Sequence, residues 1–433
     1  MKLRGWKPLL IVLLLALGVR GVAALGWHQR SGAAFYFGDS ASYWALGQDI
    51  AAGRPYRFGP DDAAVFRTPG YPLLLTPIFL AFGQDASPGW GRLENVLLGS
   101  AAVAATWWVA RLLFDERAAL LAGLMAAVYP GAVAMSAFVL TETPFALAML
   151  LQLGAAVAAW RAAASLPESK AGAAATGQNA SSNRASAKQV VAWALLCGGL
   201  GGVATLIRPS WLVFTPLAAM VLAVTAVWCR GRAARLLLAG TMLVGLILVM
   251  TPWWIRNYFV VGRFVPTTLQ VGASLYDGLS PRATGASDMQ FVGAFRQAED
   301  GVSSDVPLEV RLDRRMRAAA IDWAAAHPGA TLQLAGVKLL RMWNVWPNEP
   351  AFRSWPVRLV VLVSFVPVVI VGLWGGARTL NAGWPYWLCW MPAVYFTLLH
   401  AVFVGSIRYR QPAMFGLMIL AAGAIVRVGG KKT

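Results

Sequence analysis

Ten stretches of mostly apolar residues, each long enough to cross a bilayer as a helix, dominate this chain: 8–27, 93–113, 118–136, 138–160, 190–207, 210–229, 235–254, 358–376, 384–404 and 411–427. A hydrocarbon core of roughly 30 Å is spanned by about twenty helical residues. Lipid offers no partners to backbone N–H and C=O groups, so such runs pair them internally as helices. The alternating segments of about ten residues that mark a membrane barrel are absent. Only 13% of the 433 residues are charged, against about 25% in soluble domains. The sequence therefore predicts an all-α polytopic transmembrane bundle of about 10–12 membrane helices. Two shorter apolar pieces, 70–83 and 331–346, read as interfacial helices or partial insertions.

The basic start, Met1 to Lys7, precedes the first run. Ala23-Ala24-Leu25-Gly26 is a passable cleavage region for a signal peptide, but the spans that follow favour an uncleaved first helix. With the N-terminus inside, the cytoplasmic loops carry Lys2, Arg4 and Lys7; Arg117; Arg161, Lys170, Arg184 and Lys188; Arg230, Arg232 and Arg235; Arg378; and Lys431 and Lys432. That distribution obeys the positive-inside rule. It divides the chain into a first membrane helix (1–27), an extracytoplasmic loop (28–92), a bundle (93–254), a second large extracytoplasmic loop (255–357) and C-terminal membrane helices (358–433). Interfacial helices are expected in both large loops. Residues 161–189, rich in Ala, Ser and Gly, read as a flexible cytoplasmic loop. The sequon Asn179-Ala180-Ser181 falls inside it and is discounted.

The net charge of +18 would suggest nucleic acid in a soluble protein. Here it fits cytoplasmic anchoring plus arginines available to phosphate, and no nucleic-acid-binding module is present. Cys197, Cys229 and Cys389 form no C-x-x-C pair, so neither a disulfide framework nor a zinc site is supported. His28, His327 and His400 are scattered. No metal and no cofactor is expected.

Chemistry-bearing residues gather beside the spans. Asp39 opens a helical segment, Ser40 to Ala52, stopped by Gly53 and Pro55; it is either the N-cap of that helix or a functional acid. Tyr43 lies one helical turn on, near the same face. Asp61 and Asp62, after the turn residues Gly59 and Pro60, read as solvated loop acids. Arg67 precedes Thr68-Pro69-Gly70-Tyr71-Pro72, a rigid turn leading into a helix near Pro72. Glu142, at the end of a span, either faces a cavity or partner or rests on the helix dipole. Arg208, Arg256 with Asn257, Arg408 and Arg410 each adjoin the end of a different span. Singly they can be snorkelling anchors; with Arg67 they suggest a basic ring around a cavity, and guanidinium forks suit phosphate oxygens. Residues 320–347, with Lys338, Arg341, Trp343 and Trp346, suit the interface and the lid of a lipid entrance.

In these pieces the chain resembles GT-C glycosyltransferases that use polyprenyl-phosphate sugars, most nearly the bacterial protein O-mannosyltransferase-like branch (glycosyltransferase family 39) and the lipid A aminoarabinose transferases. The pieces, in order, are Asp39 with Tyr43, Arg67-x-Pro-Gly-Tyr71-Pro, Thr141-Glu142-x-Pro, Ile207-Arg208-Pro209, Pro252-Trp253-Trp254-x-Arg256-Asn257 and Arg408-Tyr409-Arg410-x-Pro412. The resemblance implies a GT-C-like fold with an extracytoplasmic site in a bacterial inner membrane. It also implies an inverting transfer from a polyprenyl-phosphate-linked sugar donor to a protein, lipid or glycan acceptor. Asp39 matches the first-loop acid proposed as base. Many relatives carry a second acid where this chain has Ser40, so charge on the leaving phosphate falls to arginine rather than a metal. The expected site is thus Asp39 and Glu142 as catalytic acids, with Tyr43, Arg67, Tyr71, Arg208, Arg256, Asn257, Arg408 and Arg410 binding substrate. The chain stops just after its last span, without the soluble C-terminal part of some relatives. The rival readings are a transporter or flippase of lipid-linked sugars, although the repeats usual in transporters are not visible, and a structural membrane protein.

Overall fold

A computed structural model describes residues 6–164, 177–227 and 232–429. Its helices are α1 (Trp6–Ser31), α2 (Gly38–Ala51), α3 (Gly70–Phe82), α4 (Pro88–Leu113), α5 (Glu116–Val128), α6 (Pro130–Ser136), α7 (Glu142–Ala164), α8 (Gly177–Ile207), α9 (Phe214–Val227), α10 (Arg232–Val261), α11 (Val271–Gly278), α12 (Val292–Gln297), α13 (Leu308–Ala326), α14 (Pro328–Trp343), α15 (Trp355–Arg378), α16 (Trp384–Val402) and α17 (Gln411–Gly429). Among the described residues the only strand-like pairing is an isolated bridge between Phe58 and Ala63. Each of the ten apolar stretches is largely helical over its described residues. Seven helices are long and apolar enough to cross a membrane: α1, α4, α7, α8, the Pro209–Ala226 segment containing α9, α10 and α15. The pair α5 and α6 makes an eighth, bent by 57°. The chain is an integral membrane protein with an all-α polytopic fold.

Several boundaries move from their expected places. α10 continues to Val261, past the end expected at residue 254, and α1 runs to Ser31. The loop expected over 161–189 is shorter, because α7 extends to Ala164 and α8 already begins at Gly177. The sequon at Asn179 therefore lies on a helix. Residues 165–176, Cys229, and the basic residues Lys2, Arg4, Lys170, Arg230, Lys431 and Lys432 lie outside the described residues.

Small residues and paired polar groups hold the bundle. A Cβ on Gly198 would stand 1.9 Å from the carbonyl oxygen of Met242, so α8 and α10 touch backbone to backbone there, the close approach by which membrane helices gain packing energy. Trp211 stacks on Phe214 at 3.8 Å between ring centroids, and its indole N–H donates to Gln152 Oε1 at 2.8 Å. The other end of that amide donates to Thr215 Oγ1 at 2.7 Å, so this buried polar cluster is internally satisfied.

Arg20 lies fully buried in the middle of α1. Its guanidinium donates to the carbonyls of Ala127 at 2.8 Å and Ala126 at 3.0 Å. These carbonyls end α5, where Pro130 removes the N–H that would continue the ladder and α6 turns away. An intramembrane charge thus satisfies the backbone left open by the break.

Candidate functional site

The two long inter-span segments and the nearby ends of α1, α4, α7, α8, α10, α15, α16 and α17 meet at one end of the bundle. Within that region α2 begins at Gly38, and its N-cap residue is Phe37, which makes no side-chain cap. Asp39 is therefore not the N-cap that its sequence position allows. It sits in the first turn and its carboxylate points elsewhere: Oδ1 accepts from Arg67 Nη2 at 2.7 Å and Oδ2 from Arg408 Nη2 at 2.9 Å.

Each partner is fixed in turn. Arg67 donates through Nε to Ser42 Oγ at 3.1 Å and through Nη1 to Gln270 Oε1 at 2.9 Å, and its guanidinium lies over the rings of Tyr43 and Phe66. Arg408 places Nε 2.7 Å from Glu142 Oε1. The same carboxylate oxygen lies 3.2 Å from Arg208 Nη1, and Arg208 stands over the ring of Tyr409. The result is a string of alternating charge, Arg67–Asp39–Arg408–Glu142–Arg208, drawn from five separate places in the sequence. Glu142 is its buried member, with 1% of its side chain exposed, whereas Asp39 keeps 35%.

Local structure explains why these residues meet. The turn after Arg67 ends on Gly70, where a Cβ would lie 2.5 Å from the backbone carbon of Leu206. Only glycine lets the start of α3 lie against the end of α8, and so brings Arg67 and Arg208 to one region. Upstream, the segment leading to Arg67 is gripped from two sides. Glu309 of α13 accepts the N–H groups of Ala64 at 3.3 Å and Val65 at 3.0 Å. Arg256 donates to the carbonyls of Ala64 at 2.6 Å and Tyr56 at 3.1 Å. Bonds between a charged side chain and backbone are the stronger kind.

Arg256 is thus committed to holding a loop and does not line the cavity beside Asp39. Asn257 supports it, accepting from Arg256 at 3.1 Å and donating to Val265 O at 3.3 Å. Tyr71 is buried, its hydroxyl accepting from Asn95 at 2.9 Å, with its ring edge-on to Tyr43. Arg410 reaches the cavity wall, but its Nη1 donates to the carbonyls of Met342 at 2.8 Å and Asn344 at 2.5 Å. Asp62 is exposed and pairs with Arg57 at 2.6 Å. Asp61, expected to be solvated, instead has 18% of its side chain exposed and pairs with Arg296 at 2.7 Å, joining the two long segments.

Asp39, Arg67 and Arg408 open onto a cavity of about 870 Å³. Its flank between α6 and α15 is mostly apolar, with Ala134 and Met135 of α6, Phe138, and Val357, Val360 and Val361 of α15, while Gln270, Asn348 and Glu349 add polar groups elsewhere on the wall. Arg341 of α14 also lines it, its Nε donating to Gly405 O at 3.3 Å. The sequence placed Arg341 only in an interfacial segment. Gln270 had no local signal at all, whereas Ser42 stands three residues after Asp39, one helical turn away.

Burial alone would raise the Asp39 carboxyl, but the charges of Arg67 and Arg408 outweigh it and hold the group well below the usual carboxylate range. Arg408, despite its burial, is held fully charged by Glu142, Tyr409 and Asp39. Each carboxylate is flanked by two guanidiniums, and among the described residues no three His, Cys, Asp or Glu side chains converge as ligands.

No protein-family model matches the sequence, and no curated protein matches it. Solved structures do resemble it. The archaeal oligosaccharyltransferase AglB from Archaeoglobus fulgidus, in complex with an inhibitory peptide and a dolichol-phosphate, aligns with a TM-score of 0.60 at 14% identity over 98% of this chain and 50% of that one. The Archaeoglobus fulgidus oligosaccharyltransferase tethered to an acceptor peptide aligns with a TM-score of 0.60 at 16% identity over 99% and 50%. ArnT from Cupriavidus metallidurans aligns more weakly, with a TM-score of 0.43 at 16% identity over 98% and 78%, too low to build on. The chain spans about half the length of the oligosaccharyltransferase structures it matches. At such identities the likeness establishes fold, and the fold is GT-C-like.

Proposed function

We propose that this chain is a GT-C glycosyltransferase that moves a sugar from a polyprenyl-phosphate donor to an acceptor nucleophile with inversion at the anomeric carbon. The observation that carries this reading is the position of Asp39, Arg67 and Arg408 together on a cavity whose flank between α6 and α15 is lined mainly by apolar residues. A lipid phosphate has that shape of chemistry, an anion on a hydrocarbon chain. Dolichol-phosphate is present in the AglB complex of the same fold.

In the proposed reaction the acceptor oxygen attacks the anomeric carbon from the face opposite the phosphate. The new carbon–oxygen bond forms as the bond to the phosphate oxygen breaks, and its electron pair leaves on the phosphate. Single displacement inverts the centre. The acceptor proton passes to Asp39. Arg67 and Arg408 stabilise the charge growing on the phosphate, a preorganised electrostatic role. Glu142 holds Arg408 and Arg208 in place. Tyr43 lies under Arg67 and supports its guanidinium.

A resting Asp39 gripped by two guanidiniums is a weak base. An arriving phosphate competes for those guanidiniums, and as they turn to it their hold on Asp39 loosens and its proton affinity rises. The donor thus switches on the base it needs. The bias of basic residues toward the opposite loops supports an extracytoplasmic site, in a bacterial inner membrane.

The test is an assay of purified protein in detergent with a polyprenyl-phosphate sugar. Release of free lipid phosphate with a glycosylated acceptor supports an enzyme. Movement of the lipid-linked sugar across a sealed bilayer, with no product in detergent, would show a flippase instead.

A further inference from the structure

Glu142 faces a second, much smaller space. A void of about 10 Å³ is lined by Arg20 of α1, Ser136 of α6, Glu142 and Thr143 of α7, and Gln411 of α17. Apart from Glu142 Oε1, which is ion-paired with Arg408 and Arg208, four fully buried polar atoms of this lining have no hydrogen-bond partner in the protein: Arg20 Nε, Glu142 Oε2, Thr143 Oγ1 and Gln411 Oε1. Buried polar atoms are rarely left unpaired, because each then bears its whole desolvation cost. Here four such atoms, from three helices, belong to residues that line one small void.

Their chemistry is complementary to a single molecule. Arg20 Nε–H is a donor, Glu142 Oε2 and Gln411 Oε1 are acceptors, and the Thr143 hydroxyl can donate. A water molecule offers two donors and two acceptors, and fits a void of about 10–15 Å³ when several polar groups surround it. The backbone makes room for the polar side chains. A Cβ on Gly131 would lie 2.1 Å from Gln411 Oε1, and one on Gly99 would lie 2.4 Å from Ser136 Oγ.

We propose that this chamber binds one ordered water that ties Glu142 to Arg20, Thr143 and Gln411, making those three residues positioning residues for Glu142. The water donates to Glu142 Oε2 and Gln411 Oε1 and accepts from Arg20 Nε–H and the Thr143 hydroxyl. Glu142 then turns its other oxygen, Oε1, to Arg408 and Arg208, at 2.7 and 3.2 Å. Arg408 in turn holds Asp39. The carboxylate nearest the core is thereby locked by water from within while it fixes the arginines of the cavity. The consequence for turnover rests on the glycosyltransferase reading above; the water site does not.

Two measurements test it. A cryo-electron microscopy map of the wild-type protein, at a resolution that shows solvent, should contain one density peak within hydrogen-bond reach of all four atoms. A dry chamber overturns the proposal whatever the activity of the protein. Thr143→Val keeps the shape of the side chain and removes the hydroxyl; it should lower kcat roughly tenfold with the donor KM unchanged, and Thr143→Ser should restore it. Wild-type kcat in a well-folded Thr143→Val protein would overturn the positioning role. A wild-type protein without any transferase activity would instead sink the glycosyltransferase reading and leave the density test standing.

Discussion

The Nε of Arg408 lies 2.7 Å from Oε1 of Glu142, and through this contact the two candidate acids of the site share one guanidinium. Removing Arg408 therefore disturbs both. Breaking a buried ion pair by deleting one partner typically costs about 3–5 kcal/mol, and Glu142 would be left with Arg208 alone. Arg408→Met should lower the unfolding temperature in detergent markedly and abolish transfer. Arg408→Lys keeps the charge but not the fork that reaches both acids; it should fold and lose at least about a hundredfold in kcat. A lysine variant with native turnover would show that bidentate geometry at this position is unimportant.

Asp39→Asn preserves shape and removes the base. Loss of a general base costs about 10²–10⁴-fold in rate, so transfer should fall by that factor while the protein still folds and binds donor, with a lowered unfolding temperature because Arg67 and Arg408 lose their shared carboxylate. Near-native kcat in this variant would remove Asp39 from the mechanism.

The pH dependence separates the resting from the loaded state. Arg67 and Arg408 face Asp39 directly, while Tyr43, Tyr409, Glu142 and Arg208 stand behind them. Burial raises both tyrosines, so they stay neutral across the range of interest. A depressed carboxyl stays ionised until the pH falls through its lowered pKa. The acid limb of kcat/KM for the donor, which reports the free protein, should therefore lie at very low pH. The acid limb of kcat, which reports the loaded complex, should lie higher, because phosphate draws the guanidiniums away. Coincident limbs would contradict donor-triggered activation of Asp39.

The grip on residues 56–65 should matter as much as the residues beside the cavity. Hydrogen bonds to charged groups contribute about 1.5–3 kcal/mol each. Arg256→Met or Glu309→Leu should each destabilise by about that amount and expose the 53–66 segment to protease. Both should raise the donor KM more than they lower kcat, since Arg67 loses its mooring. If Arg256→Met instead left stability and proteolysis native while destroying binding, Arg256 would belong with the substrate and not with the loop.

Gly70→Ala forces a Cβ to 2.5 Å from the backbone of Leu206. Overpacking of this kind costs about 1–3 kcal/mol, and the shift it forces separates Arg67 from Asp39. Activity should fall further than stability. Gly336 of α14 is the control: a Cβ there meets nothing within 4 Å, and Gly336→Ala should be neutral or stabilising by about 0.5–1 kcal/mol. The comparison is made by unfolding temperature and turnover on the same preparations.

What the sequence disclosed divides along physical lines. Apolar runs report helices because lipid leaves the backbone no alternative, and each of the ten stretches is largely helical over its described residues. Asp39, Arg67, Glu142, Arg208 and Arg408 could be singled out because each stands at a helix end or a Pro-Gly turn. Arg256 and Arg410 carried the same local signal, yet they bond to carbonyls of Ala64 and Met342, partners that only the folded chain brings near. α16 read as a span, but its Trp, Tyr and Pro residues leave it less apolar than the seven clear ones. Two signs were present and undervalued: Pro130 inside the run 118–136, which marks the break between α5 and α6, and Arg20, a lone charge in an otherwise apolar run. Gln270 gave no sign, since its place beside Arg67 depends on two loops meeting.

The break between α5 and α6 sets how deep the cavity wall lies. Seven helical residues measure about 10 Å, so a piece tilted by 57° advances only about 6 Å along the axis it left. The span therefore stops roughly one helical turn short of where a straight rod would end. The shortened span leaves its end piece, α6, on the cavity wall facing α15. On the glycosyltransferase reading, a lipid chain lying along that apolar flank would keep its phosphate level with Arg67 and Arg408 at the same depth.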